Sequence, residues 1–239
     1  MAIVDGGSRA GGSGGAGREH VPPPVAIRRS HRLRGELRQQ FEAIYRDSFP
    51  PEQREDLDRL ARRIALGQAV LYTAHGPSKL VGFALILPLE VQGVYLLDYL
   101  AVDPAHRGCG VGRSLLGHVK GALRRCPGAS GIFIEVESDE WGAEAERGLR
   151  SRRIAFYRRN GAVPLPLRSH LRVPALAGGG HLYSRLLWVS LGGPPPRGER
   201  LRQCIRSFFS QAYGMSPEDA LVAEALGGIG ENEPGPTSR

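Results

Sequence analysis

Lysine is nearly absent: of 32 basic residues only Lys79 and Lys120 are lysine, and the rest are arginine. Cysteine is scarce as well. Cys109, Cys126 and Cys204 stand at wide, unmatched spacing, which argues against a disulfide framework and gives no zinc-ligand pattern. No apolar run approaches the ~20 residues of a membrane-spanning helix. The first 23 residues hold seven glycines and almost nothing apolar, so they lack the h-region of a secretion signal and are expected to be disordered. These absences point to a cytoplasmic protein with no metal and no membrane partner.

What is present bounds the answer further. With 239 residues and 41% hydrophobic residues, the chain suits one well-packed domain with added ends. The formal charge of +8 invites a nucleic-acid reading. The arginine skew, together with 33 glycines and 18 prolines, instead matches a GC-rich coding bias. Six arginines lie between Arg147 and Arg159 without an aromatic platform or a nucleic-acid motif. They are expected to form a solvated basic helix face, and no nucleic-acid partner is expected.

Periodicity orders the elements. Residues 24–30 predict a short strand and 34–49 a helix, carried by Leu37, Phe41, Ile44, Tyr45 and Phe49. Pro50-Pro51 stops it, and a second helix is predicted over 52–66. Strands 69–74 and 80–89 bracket the turn His75-Gly76-Pro77-Ser78. The run 94–102 is apolar almost throughout and reads as a central strand. Further on come a helix with the stripe Val111, Leu115, Leu116, Val119 and Leu123, a strand at 131–138, and a helix at 147–160 closed by Gly161. A strand pair, 165–176 and 181–191, flanks Gly178-Gly179-Gly180. A linker from 192 to 198, a helix at 199–213 and a last helix opening at Ser216-Pro217-Glu218-Asp219 and ending near Leu226 follow. The tail 227–239 is expected to be disordered.

The most informative stretch is Leu96 to Leu116: an apolar strand, a turn, glycines at 108, 110 and 112, then an amphipathic helix. A glycine-rich turn feeding a helix start aims unpaired N–H groups and the positive helix end at one point, which suits a phosphate or pyrophosphate. Arg107 adds a charged fork beside it. It is not a Walker loop, because Gly112-Arg113-Ser114 stands where Gly-Lys-Ser/Thr is needed. Nor is it a dinucleotide fingerprint, because the spacing is Gly-x-Gly-x-Gly.

Arg107-Gly108-Cys109-Gly110-Val111-Gly112 resembles the Arg/Gln-x-x-Gly-x-Gly/Ala signature of the GNAT superfamily, the acyl-CoA-dependent N-acyltransferases. Leu100-Ala101-Val102-Asp103-Pro104 before it and Leu115-Leu116 after it strengthen the match. A second signature, Phe156-Tyr157-Arg158-Arg159-Asn160-Gly161-Ala162, resembles the Phe/Leu-Tyr-x-x-x-Gly-Phe end of the family's fourth helix. The element order over residues 24–191 is also similar. The resemblance implies an α/β (α+β) fold of the GNAT type, a central mixed, mostly antiparallel sheet with splayed middle strands flanked by helices. The extension 192–226 lies outside that core.

It also implies acetyl-CoA as co-substrate, with no metal, and an amine acceptor on a small molecule or a protein. Arg107, Gly108, Cys109, Gly110, Val111, Gly112 and Arg113 would hold the pyrophosphate, and nearby arginines would steer the CoA phosphates toward them. Leu100, Ala101 and Val102 would hold the pantetheine arm through main-chain groups, one of which could serve the oxyanion. Asp98, an acid inside an apolar strand, is the first candidate base, with a salt bridge to arginine as the plain alternative. Glu135 and Glu137 alternate with apolar residues on one strand face and are alternative bases or substrate anchors, though an exposed sheet face explains them equally. Tyr157 takes the family's role of protonating the leaving thiolate, against a plain packing role. Two departures stand out: Arg150 where many members carry asparagine, and Ala162 where phenylalanine is usual. Cys109 has no base in the sequence to make it a nucleophile, and His106 reads as a surface residue. A non-catalytic acyl-CoA sensor is the alternative function, and homodimer formation stays open.

Overall fold

A computed structural model describes residues 25–141, 144–167 and 170–229. The expected disorder of 1–23 lies outside the described residues, as does that of the tail 227–239 from residue 230 on; of its first residues, Gly227 ends the last helix and Ile229 is buried. Strand β1 (Ala26–Ser30) leads to helix α1 (Gly35–Ser48), which buries Phe41, Ile44 and Tyr45. A short 3-10 turn, Pro51–Gln53, separates it from α2 (Leu57–Ala65). The second helix therefore starts five residues later than periodicity suggested. Asp56 caps it, taking the N–H groups of Asp58 and Arg59 at 2.9 and 3.0 Å. The segment before it is held by tyrosines. Tyr45 donates to the Glu55 carbonyl at 3.2 Å, and Tyr99 accepts the Glu55 N–H at 3.1 Å while donating to the Gln53 carbonyl at 3.1 Å.

Strands β2 (Val70–His75), β3 (Leu80–Pro88) and β4 (Val94–Val102) form an antiparallel meander, and α3 (Val111–Arg124) follows. A Cβ at Gly82 would stand 2.8 Å from the Ala101 carbonyl and 3.2 Å from the Leu115 side chain, so α3 lies close on the sheet there. Strand β5 (Gly131–Glu137) runs parallel to β4, the one parallel pairing among the described strands. Helix α4 (Glu144–Arg159) ends at Gly161, whose φ of +90° suits glycine. Lys120 of α3 donates to the Asn160 carbonyl at 3.0 Å, a cation at a helix C-terminus.

Of the expected strand at 165–176 only β7 (Leu171–Pro174) forms, and a short strand that was not expected, β6 (Ala162–Pro164), precedes it. Pro164 and Pro166 lack the N–H groups that a continuous ladder needs. Both pair with β8 (His181–Ser190), β7 with its first half and β6 with its second, while β5 holds the other edge. The path across the sheet is β1-β2-β3-β4-β5-β8-β6. Helices α5 (Gly198–Tyr213) and α6 (Ala220–Gly227) close the chain, and Ile229 is buried just beyond them.

Two apolar layers cover the sheet. One contains α1, α2, α5 and α6 over Phe83, Leu85, Tyr99, Phe133 and Trp188. The other contains α3 and α4 over Leu97, Leu100, Val102, Ile134 and Val136. The expected solvated basic face of α4 needs correction, because Arg150 and Arg153 are buried while Arg147, Arg152, Arg158 and Arg159 are exposed. Among the described residues no helix is long and apolar enough to cross a membrane, and no group of three or more His, Cys, Asp or Glu could hold a metal ion.

Candidate active site

The glycine loop begins at Asp103. Its carboxylate takes the Ala105 N–H at 2.9 Å and Lys79 at 2.7 Å, which sets the short turn 104–106. Gly108 and Gly110 adopt φ of +77° and +81°, the left-handed region where a side chain is strained. Gly110 is the N-cap of α3, and the first helical bond runs from the Ser114 N–H to its carbonyl at 3.0 Å. The N–H groups of Val111, Gly112 and Arg113 therefore head the helix without helical acceptors, at its positive end. That is an anion cradle. Arg107 is turned away from it: its guanidinium donates to the Val102 carbonyl at 3.1 Å, Asp47 at 2.6 Å and Ser48 at 3.2 Å. It pins the loop to the end of α1 rather than standing as an open fork. The Cys109 thiol points back to the Arg107 carbonyl at 3.6 Å.

Above the cradle the two parallel strands part. β4 and β5 pair from Val94↔Gly131 to Leu97↔Ile134, and the register goes no further. Beyond that point Leu100, Ala101 and Val102 stay opposite Ala84, Phe83 and Gly82 of β3, with the β5 side open. Asp98 marks the place. Ile86 faces Leu97 and Leu85 faces Tyr99, so Asp98 is the extra residue of a β-bulge. Bulges add twist and re-aim side chains, and this one sits where the strands separate.

On the α1–α2–α5 side of the gap, Asp98, Tyr99 and Glu135 line a narrow cleft. Its walls are Glu52, Gln53 and Glu55 from the connection before α2, Pro174 and Leu176 from the β7–β8 hairpin, and Ala212 and Tyr213 from α5. The hairpin is tied down by the Leu176 N–H, which donates to the Glu52 carbonyl at 2.7 Å. Burial pushes the Asp98 pKa above the ordinary aspartate value. Arg63 works against that rise and the Glu135 carboxylate adds to it. Burial, then the Asp98 charge, raises Glu55 too, while Arg63 and Arg59 oppose.

Glu135 is 2% exposed. It accepts the Ser184 hydroxyl at 2.6 Å on one oxygen and the Tyr213 hydroxyl at 2.7 Å on the other. Among the described residues no Arg, Lys or His forms an ion pair with it. Glu137 parts from Glu135 despite sharing its strand parity. At the strand end its two oxygens meet Arg150 at 3.3 Å and Arg153 at 2.9 Å, and it does not line the cleft. Arg150 also reaches the Trp141 carbonyl at 2.6 Å and Glu146 at 2.6 Å, so it braces the start of α4.

On the opposite side of the gap lies Tyr157, fully buried in the α3–α4 layer with Leu100, Val102, Val111, Ile134 and Val136. Burial raises its pKa well above that of a free phenol, against the pull of Arg153. Its hydroxyl has no hydrogen-bond partner among the described residues.

Several site residues had no sequence signal of their own. Gln53, Glu55, Ser184 and Tyr213 enter the cleft from separate segments, and nothing in their local spacing singles them out. Tyr99 was hidden as one more apolar residue of the central strand. The Asp98 bulge, by contrast, was foreshadowed by an acid inside an apolar run.

The chain matches the sequence model of the Acetyltransferase (GNAT) family over residues 31–162, more than half its length. No curated protein matches it. Its structure is similar to that of a GNAT-family protein from Bacteroides thetaiotaomicron, at 24% identity and a TM-score of 0.58, covering 75% of this chain and 93% of that one. It is similar to NAA60 of Arabidopsis thaliana, solved with acetyl-CoA, at 19% identity and a TM-score of 0.55, covering 71% of this chain and 100% of that one. An aminoglycoside 6'-N-acetyltransferase solved with coenzyme A gives 17% identity and a TM-score of 0.55, covering 72% and 99%. The parted strands, the glycine cradle at the head of α3 and the family match all agree: the chain belongs to the GNAT acetyltransferase family.

Proposed function

We propose that this protein moves the acetyl group of acetyl-CoA to a primary amine by direct attack within a ternary complex. The observation that carries the reading is the gap between β4 and β5, with carboxylates on one side and a buried tyrosine hydroxyl on the other. An amine can enter from the carboxylate side and a thiolate can leave toward the tyrosine.

The cradle of Gly108 to Arg113 binds the pyrophosphate, and main-chain groups of Leu100, Ala101 and Val102 bind the pantetheine arm. An alkyl ammonium has a pKa near ~10 and cannot attack until it loses a proton. Asp98 takes that proton, directly or through water, and its raised pKa makes it a better base than an ordinary aspartate. The amine nitrogen then bonds to the thioester carbon, and a main-chain N–H of the open β4 edge holds the oxyanion. As the C–S bond breaks, Tyr157 donates its proton to the departing sulfur, and the new amide nitrogen gives up its second proton to solvent. Glu135 draws the cation into the cleft, and Glu137 is left to bind the arginines of α4.

The test is thiol release from acetyl-CoA with a panel of primary amines, with the product identified by mass. Turnover with at least one amine is expected. Tight acetyl-CoA binding with no turnover on any of them would overturn the enzyme reading in favour of a sensor.

A further inference from the structure

Helix α5 lies beyond the family match, yet it reaches into the cleft. Leu201, Cys204, Ile205, Phe208 and Phe209 bury one face of it against the sheet. Polar ties then fix its position along the sheet. Ser207 accepts the Glu90 N–H at 2.8 Å, and Arg63 donates to the Gln211 carbonyl at 3.0 Å while it pairs with Glu55 at 3.2 Å. Gly214, at φ +66°, ends the helix immediately after Tyr213. The last side chain of the helix is thereby delivered to Glu135.

Two observations say what this arrangement is for. Glu135 is almost wholly buried, with two neutral hydroxyl donors and no cationic partner among the described residues. A carboxylate in that state is costly to bury and gains most from a cation. Independently, the Gln53 Oε1 atom is buried on the same cleft and has no hydrogen-bond partner among the described residues. It is an acceptor that lacks an N–H. A primary ammonium brings one positive charge and three N–H donors.

We propose that α5 completes the acceptor site: Tyr213, with Ser184, sets the orientation of Glu135 so that Glu135, Asp98 and the Gln53 Oε1 atom together hold an unhindered primary ammonium. This rests on the acetyltransferase reading above. Tyr213 is a positioning residue, since it acts through Glu135, and the extension becomes the part of the molecule that selects for primary amines.

The experiment compares wild type, Tyr213→Phe, Ser184→Ala, Glu135→Gln and the Tyr213→Phe/Glu135→Gln double variant. The probes are n-propylamine, putrescine and an Ala-Ala peptide amide, each against its N-methyl counterpart. Tyr213→Phe keeps the ring that packs on Phe208 and Phe209. Losing one hydrogen bond to a charged group should raise the amine KM roughly tenfold or more. The kcat should change far less and the acetyl-CoA affinity should hold. The preference for primary over N-methyl amine should narrow, and Tyr213→Phe should add little in the Glu135→Gln background. Ser184→Ala should give the same KM signature, which keeps the test decisive if the phenylalanine variant folds poorly. Unchanged amine KM in both variants, with wild type active, overturns the proposal and leaves the acetyltransferase reading standing. A wild type that releases no thiol with any probe overturns that reading and the proposal with it.

Discussion

The two sides of the β4–β5 gap are built in opposite ways. The cradle side is almost continuous in sequence: the open edge of β4, the turn held by Asp103 and the glycines before α3 all fall between Asp98 and Arg113. The acceptor side gathers Gln53, Asp98, Glu135, Ser184 and Tyr213 from separate elements, and Tyr213 meets Glu135 across 78 residues of chain. On the proposed reading, a ligand shared by a whole family would be held by backbone in one compact stretch. What distinguishes one acceptor from another would be held by side chains that only the finished fold brings together. The comparison predicts that damage on the cradle side stops binding, whereas damage on the acceptor side changes rate and selectivity.

The largest effect is expected at Gly110. Gly110→Asp places a side chain and a negative charge at the head of α3, where the proposed reading puts the phosphates. Aspartate tolerates the left-handed backbone better than most residues, so the strain should stay near ~1 kcal/mol. Acetyl-CoA binding should vanish in calorimetry while circular dichroism stays native. A folded Gly110→Asp protein with undiminished affinity would move the cradle elsewhere.

On the α3–α4 side of the gap, Tyr157→Phe keeps a fully buried ring and removes only the proton donor. Its kcat should fall by about 10²–10⁴-fold, with acetyl-CoA affinity nearly constant. Because burial holds that phenol protonated well past the usual range, no limb of the pH–rate profile should appear or disappear. Full activity in Tyr157→Phe would hand the leaving thiolate to water and return Tyr157 to plain packing.

How much of this could be read from the residues follows the same division. Val94 to Val102 emerged with the ends that periodicity assigned, and the glycines at 108 and 110 marked the cradle, because backbone conformation is written locally. The start of α2 was misplaced because the connection before it answers to Tyr45 and Tyr99, distant residues whose hydroxyls hold it out of the helix. Glu135 and Glu137 share parity and still diverge, because one meets α5 and the other α4. Tyr213 closes an ordinary amphipathic helix, and only Gly214 hints where that helix must end. Pairing between remote side chains leaves no period to detect.

Asp98→Asn separates stability from catalysis. Burial raises the Asp98 pKa above the ordinary 3.8, so the folded state favours the neutral acid. Stability is then full at low pH and is lost as pH climbs from 3.8 through the raised value. Asparagine carries no charge at any pH. The variant should therefore melt higher than wild type at neutral pH, and the advantage should fade on acidification. Its rate should drop by about 10²-fold, the lower end of base catalysis, because Glu135 still attracts the amine. The loss should shrink as pH approaches the ~10 at which an alkyl amine deprotonates itself. An unaltered pH–rate profile would move the base to Glu135 or dispense with one.

The smallest effect belongs to Arg107, and it sharpens the contrast most because the residue sits inside the cradle motif. Its guanidinium is committed to Asp47, Ser48 and the Val102 carbonyl, so on the proposed reading it steadies the loop against α1 instead of gripping the phosphates. The Asp47 partner is half exposed, and exposed ion pairs contribute only ~0.2–1 kcal/mol. Arg107→Ala should therefore weaken acetyl-CoA by no more than about fivefold, the affinity ratio that ~1 kcal/mol gives. Asp47→Ala, which touches no phosphate in either account, should weaken it by a similar factor. Both variants should lose affinity with the same shallow dependence on salt. If Arg107→Ala instead costs a hundredfold and flattens the salt dependence while Asp47→Ala does nothing, the side chain turns to the phosphates when they arrive. The cradle would then owe its grip to a charged fork as well as to bare backbone.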